Sequence, residues 1–307
     1  MASLNDIRKR ISSVKNTQQL TRAMKMVAAA KLRRAQEGIF RTRPYSYKIS
    51  EIISHLKSHV DPGTHMLFNL RDVVDNVLLI IVTADRGLAG AFNANVIKEA
   101  EKTIKEEYAE IHANGQLFLM CVGRKSHEHF FKRGYNLVGD YRGVFNELTF
   151  DSAQDIIKNA VDGYVEDRWD VVKVVYNEFK NTISQNRIVE PVLPIPREQF
   201  ITPVMQRDVE HFAEEKEGVE VDYLFERDAE SILKALIPTY LNYQFWRVLL
   251  ESNAAEQGAR MVAMDNATSN AEDLIKDLKL VYNRARQDAI TKELIEITSG
   301  ADALEAG

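Results

Sequence analysis

The turn ADRGLAGAFN, residues 84–93, is where this sequence comes nearest to a ligand-binding motif. It follows an apolar run and precedes a helical one, which is where phosphate-binding loops sit. Gly87 and Gly90 have GxxG spacing, but neither a GxGxxG pattern nor the lysine-serine pair of a P-loop accompanies them. A strand-to-helix turn that needs a permissive backbone accounts for both glycines. His127 and His129, in HEHF, stand two apart. Positions i and i+2 of a helix point to different faces, so the pair does not share a metal and reads as a solvated helix end. Cys121, the one cysteine of the chain, lies in the apolar run QLFLMCVG and reads as a buried strand residue. Alone, it excludes an internal disulfide and two-cysteine redox switching. No nucleophile elbow, Cys/His cluster or carboxylate pair with a supporting constellation is visible. We expect no catalytic residue, metal or cofactor in this chain.

Composition is that of an ordinary folded protein, with 45% hydrophobic and 28% charged residues in 307. The longest apolar run, VLLIIVTA (77–84), has core-strand length and falls far short of the ~18–20 residues of a membrane span. No secretory signal pattern is present, so a soluble, reducing compartment fits best. A net charge of −5 gives the whole chain no nucleic-acid signature. Yet charge is uneven. No acid occurs between Asp6 and Glu37, while Arg8, Lys9, Arg10, Lys15, Arg22, Lys25, Lys31, Arg33 and Arg34 fall there. An organellar transit peptide, a nucleic-acid or membrane surface, and a helix meeting an acidic protein partner each explain such a bias. A hydrophobic seam starting at once, a second long helix to pair with, and no aromatic before Phe40 favour the protein partner.

These residues need elements to position them. Leu4, Ile7, Ile11 and Val14 follow the 3-4 spacing of a coiled-coil seam. Gln18, Thr21, Lys25 and Ala28 continue it with polar and small residues, and Leu32, Ala35 and Ile39 restore it. Pro44 is expected to kink or interrupt this helix, and DPGTH (61–65) to end it. The middle alternates strands (76–85, QLFLMCVG, VVKVVYNEF) with helices, the pattern of a mostly parallel sheet. ISQNRIVEPVLPI reads as an edge strand punctuated by proline. The last segment is again helical, with Pro238 interrupting it early. Its seam wanders through Leu241, Phe245, Val248, Ala255, Ala259, Val262, Leu274, Leu278, Val281, Ala285, Leu294 and Ile297. The expected fold class is α+α/β: an antiparallel coiled coil of the N- and C-terminal helices with an inserted Rossmann-like α/β domain. The expected segments are 1–60, 73–205 and 226–300, together a rod with a knob.

The sequence resembles the gamma subunit of the F-type ATP synthase. IRKRISSVKNTQQLTRAMKMVAAAKLRRAQ is similar to that family's opening helix, TADRGLAGAFN to its first strand-turn, and ARMVAMDNATSNAEDLI to its C-terminal helix. ITKELIEITSGADA, from Ile290 to Ala303, is similar to the family's C-terminal signature. The resemblance implies a central rotor shaft. Its coiled coil enters a hexamer of alpha and beta subunits, which hold the catalytic sites, and its α/β domain meets the epsilon subunit and the membrane c ring. It further implies that Met24 and Lys25 face an acidic beta-subunit loop, with Arg260 and Thr291 coupled to that place. Arg286 and Gln287 are implied to meet a beta-subunit catch loop, with Glu293 nearby. FAEEKEGVEVDYLFE (212–226) has the character of a variable insertion, and nothing matches the cysteine-bearing regulatory segment of chloroplast members. The start at ASLNDIRKRI leads us to expect a bacterial form, bound peripherally on the cytoplasmic side of the cell membrane. A non-rotary coiled-coil adaptor and an enzyme using the 84–93 turn for a nucleotide are the rival readings.

Overall fold

The computed structural model describes residues 4–57, 65–196, 200–207 and 229–305. The helix stop expected at DPGTH falls mostly outside these, and the acidic segment 212–226 does so entirely. The chain forms two compact units, one from residues 28–260 and one from residues 1–27 with 261–307.

The larger unit is built on a five-stranded sheet of β1 (Val77–Val82), β2 (Leu117–Val122), β3 (Asn136–Leu137), β4 (Val171–Phe179) and β5 (Gln185–Leu193). The strand order is β3-β2-β1-β4-β5. β1 pairs in parallel with β2 and β4, β2 with β3, and only β5 runs antiparallel, against β4. All six residues of β1 are buried, as expected of a central parallel strand covered on both faces. On one face Val77, Leu79 and Ile81 pack with α2 (Phe92–Glu107) and α4 (Arg124–Phe131) through Val96, Ala100 and Phe130. Between those helices lies α3 (Ala109–Ala113). On the other face Leu78, Ile80 and Val82 meet α5 (Phe150–Val165) together with stretches of two long helices, α1 (Leu4–Lys57) and α6 (Ala229–Glu305). Ile49, Ile53 and Leu56 come from α1, and Leu233, Ile237 and Phe245 from α6.

The interruptions expected at two prolines do not occur. Neither Pro44 nor Pro238 interrupts its helix, since α1 and α6 run through both. An interior proline removes one hydrogen bond and costs about 3 kcal/mol. Each ring lies on an exposed face, and the carbonyl each one orphans belongs to an exposed residue, Phe40 or Lys234, where water reaches it. The opposite faces are buried, by Arg43 and Ser46 around the first proline and by Leu233, Ile237 and Leu241 around the second. Tertiary packing outweighs the local cost. β3, two residues long, has no periodic signal to announce it. As expected, Cys121 is a buried strand residue, and burial pushes its thiol up to about 12.

Candidate functional site

In the larger unit, the 84–93 turn is filled from within. Asp85 Oδ1 accepts hydrogen bonds from the backbone N–H of Arg124 (2.9 Å) and Gly143 (2.7 Å), and Oδ2 from that of Phe145 (3.0 Å). Arg124 opens α4, so a carboxylate of the chain itself sits where a bound phosphate would meet that helix N-terminus. Asn93 Oδ1 accepts from the Ala84 N–H at 2.9 Å and closes the turn on itself. Leu88 adopts a left-handed conformation (φ 66°) and is exposed. His127 stacks on Phe131, while His129 Nε2 lies 2.8 Å from Glu101. The two histidines therefore have separate partners, and among the described residues no group of His, Cys, Asp and Glu could hold a metal ion. The geometry favours a structural turn over the nucleotide-enzyme reading.

Arg260 belongs to this turn. Its Nη1 donates to the Gly87 carbonyl at 2.6 Å, and its Nη2 pairs with Glu256 one helical turn earlier. Only 9% of the residue is exposed. Burial pushes the Glu256 carboxyl up, and the Arg260 guanidinium opposes that shift. Both bonding edges of Arg260 are thus occupied inside the larger unit.

The smaller unit pairs the start of α1 with the end of α6. Arg8 Nη2 donates to the Tyr282 hydroxyl at 2.8 Å, with its guanidinium carbon 5.7 Å from that ring centre. Thr21 and Thr268 hydroxyls lie 2.7 Å apart, and Lys25 Nζ is 2.6 Å from Asp265 Oδ1. Residue numbers rise along α1 as they fall along α6, so the pairing is antiparallel. The polar interval in the α1 seam is answered by polar residues on α6: Thr21 is buried and faces Thr268. On α6 the inward residues include Val262, Met264, Thr268, Ala271, Ile275, Leu278, Tyr282 and Ala285. Leu274, Val281, Leu294 and Ile297, expected in the seam, are exposed. Apolar residues occur on both sides of α6, and Thr268 and Tyr282 carry the true phase, which a count of aliphatic residues misses.

The site residues suggested by the sequence form separate groups. Met24 and Lys25 are half-buried on α1. Arg286, Gln287, Thr291 and Glu293 are exposed on the last turns of α6. Helical spacing puts Arg286 with Glu293, and Gln287 with Thr291, on common faces. Asp265, the partner of Lys25, precedes Arg286 by 21 residues of one helix, about 30 Å. Arg260 lies in the other unit. Sequence reading passed over the exposed apolar residues beside them: Leu20, Met26 and Val27 on α1, and Leu280, Ile290 and Ile295 on α6. A core-seeking pattern search treats such residues as buried, and only excess aliphatic residues outside one seam hint otherwise.

The family model described as ATP synthase matches residues 3–304. The ATP synthase gamma chain of Salinibacter ruber is 61% identical over 305 residues, covering 99% of each chain. That of Chloroherpeton thalassium is 50% identical over 307 residues, also covering 99% of each. Among solved structures, a chain from the Euglena gracilis mitochondrial ATP synthase (OSCP, F1 and c-ring) is similar with a TM-score of 0.64. It is 20% identical, with 99% of this chain and 95% of that one covered. A chain from the central stalk and c-ring of the Tetrahymena thermophila enzyme gives a TM-score of 0.54 at 22% identity, covering 81% of this chain and 99% of that one. At such identities these two likenesses speak for the fold. Sequence identity along nearly the full length speaks for more: the chain belongs to the family of ATP synthase gamma chains.

Proposed function

We propose that this chain is the central rotor shaft of a proton-translocating F-type ATP synthase. It couples rotation of the membrane c ring to the conformational cycle of catalytic beta subunits and makes no bonds itself. Family membership supports this reading, and one observation carries it physically. Arg8 already stands opposite Tyr282, and α1 begins at Leu4. The final turns of α6 therefore continue past the first described turn of α1. There Ile290, Leu294, Ile295 and Ile297 are all exposed, the last by 68%. A single helix with aliphatic residues on several faces expects a surrounding sleeve. A hexamer of alpha and beta subunits is the occupant we assign.

Within that sleeve Arg286 and Gln287 meet a beta-subunit catch loop, with Thr291 and Glu293 on the same exposed turns. Met24 and Lys25 face an acidic beta-subunit loop. Lys25 pairs with Asp265, but water reaches both side chains, which are 39% and 59% exposed. Such a pair is worth only ~0–1 kcal/mol, so a passing carboxylate can exchange with Asp265. Arg260 acts through the turn it holds. The segments 1–60, 73–205 and 226–300 serve as shaft, body and shaft. The body meets the epsilon subunit and the c ring, and the complex keeps this chain peripheral, on the cytoplasmic side of a bacterial membrane. No described helix is long and apolar enough to cross a membrane.

Co-purification tests the reading against a non-rotary adaptor. Affinity-tagged chain from its native membranes should bring down two larger subunits in equal amounts, together with ATPase activity. A cysteine placed at Gln287 should cross-link to the beta-type subunit. Recovery of the chain without ATPase subunits would refute the proposal.

A further inference from the structure

Between Arg247 and Arg260, α6 is buried on every side, and only Asn253 and Ala259 escape full burial. A helix enclosed in this way is ordinarily apolar all round. This stretch instead buries Arg247, Glu251, Ser252, Glu256, Gln257 and Arg260. Three of the six reach directly onto the sheet and its turns. Arg247 Nη2 forks onto Glu190 of β5 (2.6 and 2.8 Å), and Nη1 donates to the Tyr176 hydroxyl of β4 (3.0 Å). That hydroxyl donates to Glu190 at 2.8 Å. Arg247 Nε donates to Gln244 at 3.2 Å, and Gln244 donates to the Ser50 hydroxyl of α1 at 2.7 Å. One turn on, Glu251 accepts from Arg43 of α1 (2.7 Å) and from the Phe179 N–H at the end of β4 (3.1 Å). Arg260 then holds Gly87. At Gly258 the helix comes so near the β4–β5 connection that a Cβ would stand 3.3 Å from the Thr182 carbonyl oxygen.

Stability alone does not account for this arrangement. Replacing a buried ion pair with well-packed apolar residues is often neutral or stabilising. What a buried pair supplies is direction. Apolar burial is non-directional, so a helix in an apolar groove can roll or slide by a ridge at little cost. Arg247 is held at two points, one nitrogen on both Glu190 oxygens and the other on the Tyr176 hydroxyl, and a planar guanidinium fixed in this way permits one angle and one register.

On the rotor reading, torque between the sheet and the shaft passes through this stretch, and the inference rests on that reading. We propose that Arg247, with Glu190 and Tyr176, is a torque-bearing positioning site. It locks α6 against rolling on the β4–β5 pair, so that turning the α/β body turns the shaft by the same angle.

The test uses the intact ATP synthase in inverted membrane vesicles. The triple variant Arg247→Met, Glu190→Leu, Tyr176→Phe removes all three polar groups together; half-buried Gln244 loses the Arg247 bond but keeps its bond to Ser50. The complex should assemble and hydrolyse ATP at the parental rate, but the number of protons pumped per ATP should fall. The thermal angular spread of a bead fixed to the body, with the catalytic head anchored, should widen. A merely structural role moves neither readout once assembly is intact. Parental pumping per ATP in the assembled triple variant overturns the proposal. If that variant does not assemble, the same ratio is read from Arg247→Lys, which keeps the charge and loses the fork; a parental ratio there overturns it equally. Absence of ATP-driven pumping in the parent complex would instead count against the rotor reading itself.

Discussion

Replacing Asp85 with asparagine probes the closed turn directly. The carboxylate accepts three backbone N–H groups, two on one oxygen and one on the other. Asparagine keeps a single acceptor oxygen. Oriented to satisfy Arg124 and Gly143, its NH2 faces the Phe145 N–H, donor against donor. The variant also loses the charge that strengthens the two remaining bonds. A hydrogen bond to a charged group is worth about 1.5–3 kcal/mol, and a stranded buried donor costs about 1–3 kcal/mol. Allowing for relaxation of this half-buried loop, we expect a local loss of about 2–4 kcal/mol. At 1.4 kcal/mol per decade, amide exchange at Arg124, Gly143 and Phe145 should quicken about thirtyfold to a thousandfold. Hydrogen exchange on the full chain reads this, with the β1 amides as an internal standard expected to change far less. Unchanged exchange at all three amides would refute the structural account of the turn. Gain of ATP binding by the variant, measured by calorimetry, would revive the phosphate-loop reading.

Further outcomes follow from other sites. Asp170 accepts hydrogen bonds from Arg71 (2.5 Å) and from the N–H groups of Asp75 and Asn76. Burial raises its carboxyl pKa, but the Asn76, Arg71 and Asp75 bonds outweigh burial and hold it below the ordinary value. Its contribution is therefore complete above the usual carboxylate pKa and disappears as pH falls through the lowered one. Asp170→Asn should cost about 1–3 kcal/mol in urea unfolding at pH 7 and progressively less below about pH 4; an equal cost at both pH values contradicts this. Cys121, buried with its thiol pushed up to about 12, should resist maleimide at pH 7.5 in the folded chain and react after denaturation. Rapid native labelling would contradict that placement. Met24→Lys should lower protons pumped per ATP while hydrolysis persists, because a second cation beside Lys25 tightens one angular contact. Equal pumping in vesicles of mutant and parent would sink the idea.

How far the sequence foretold the molecule depends on how local each cause is. Strand β1 was legible because six consecutive aliphatic residues leave a parallel sheet little alternative. The α1 seam was legible from Ile7 to Ala28, since its spacing repeats and both residues are buried. The α6 seam slipped out of phase at Leu274 and Val281 because the inward positions are held by Thr268 and Tyr282, whose partners lie over two hundred residues away. Pro44 and Pro238 misled because propensity is a local quantity, while the packing that overrides it is not. Asp85 could be seen in its motif, yet nothing near it revealed three amides from distant loops as its partners. Arg247 and Glu190 carry no spacing signal at all, and only the fold shows them to be one site.

The antiparallel pairing at Arg8 and Tyr282 closes a loop of 274 residues. Translation at about 5–20 residues per second leaves the first turns of α1 outside the ribosome for roughly 15–55 s before their partner exists. During that interval Ile7, Ile11 and Val14 have nothing from their own chain to cover them. The smaller unit therefore cannot form until Tyr282 has been made, whereas strands β1 to β5 can join tens of residues earlier. Newly made chain passes through a stage with a folded sheet and an uncovered basic helix, and that stage is when a holding chaperone or an early-arriving partner subunit has most to bind.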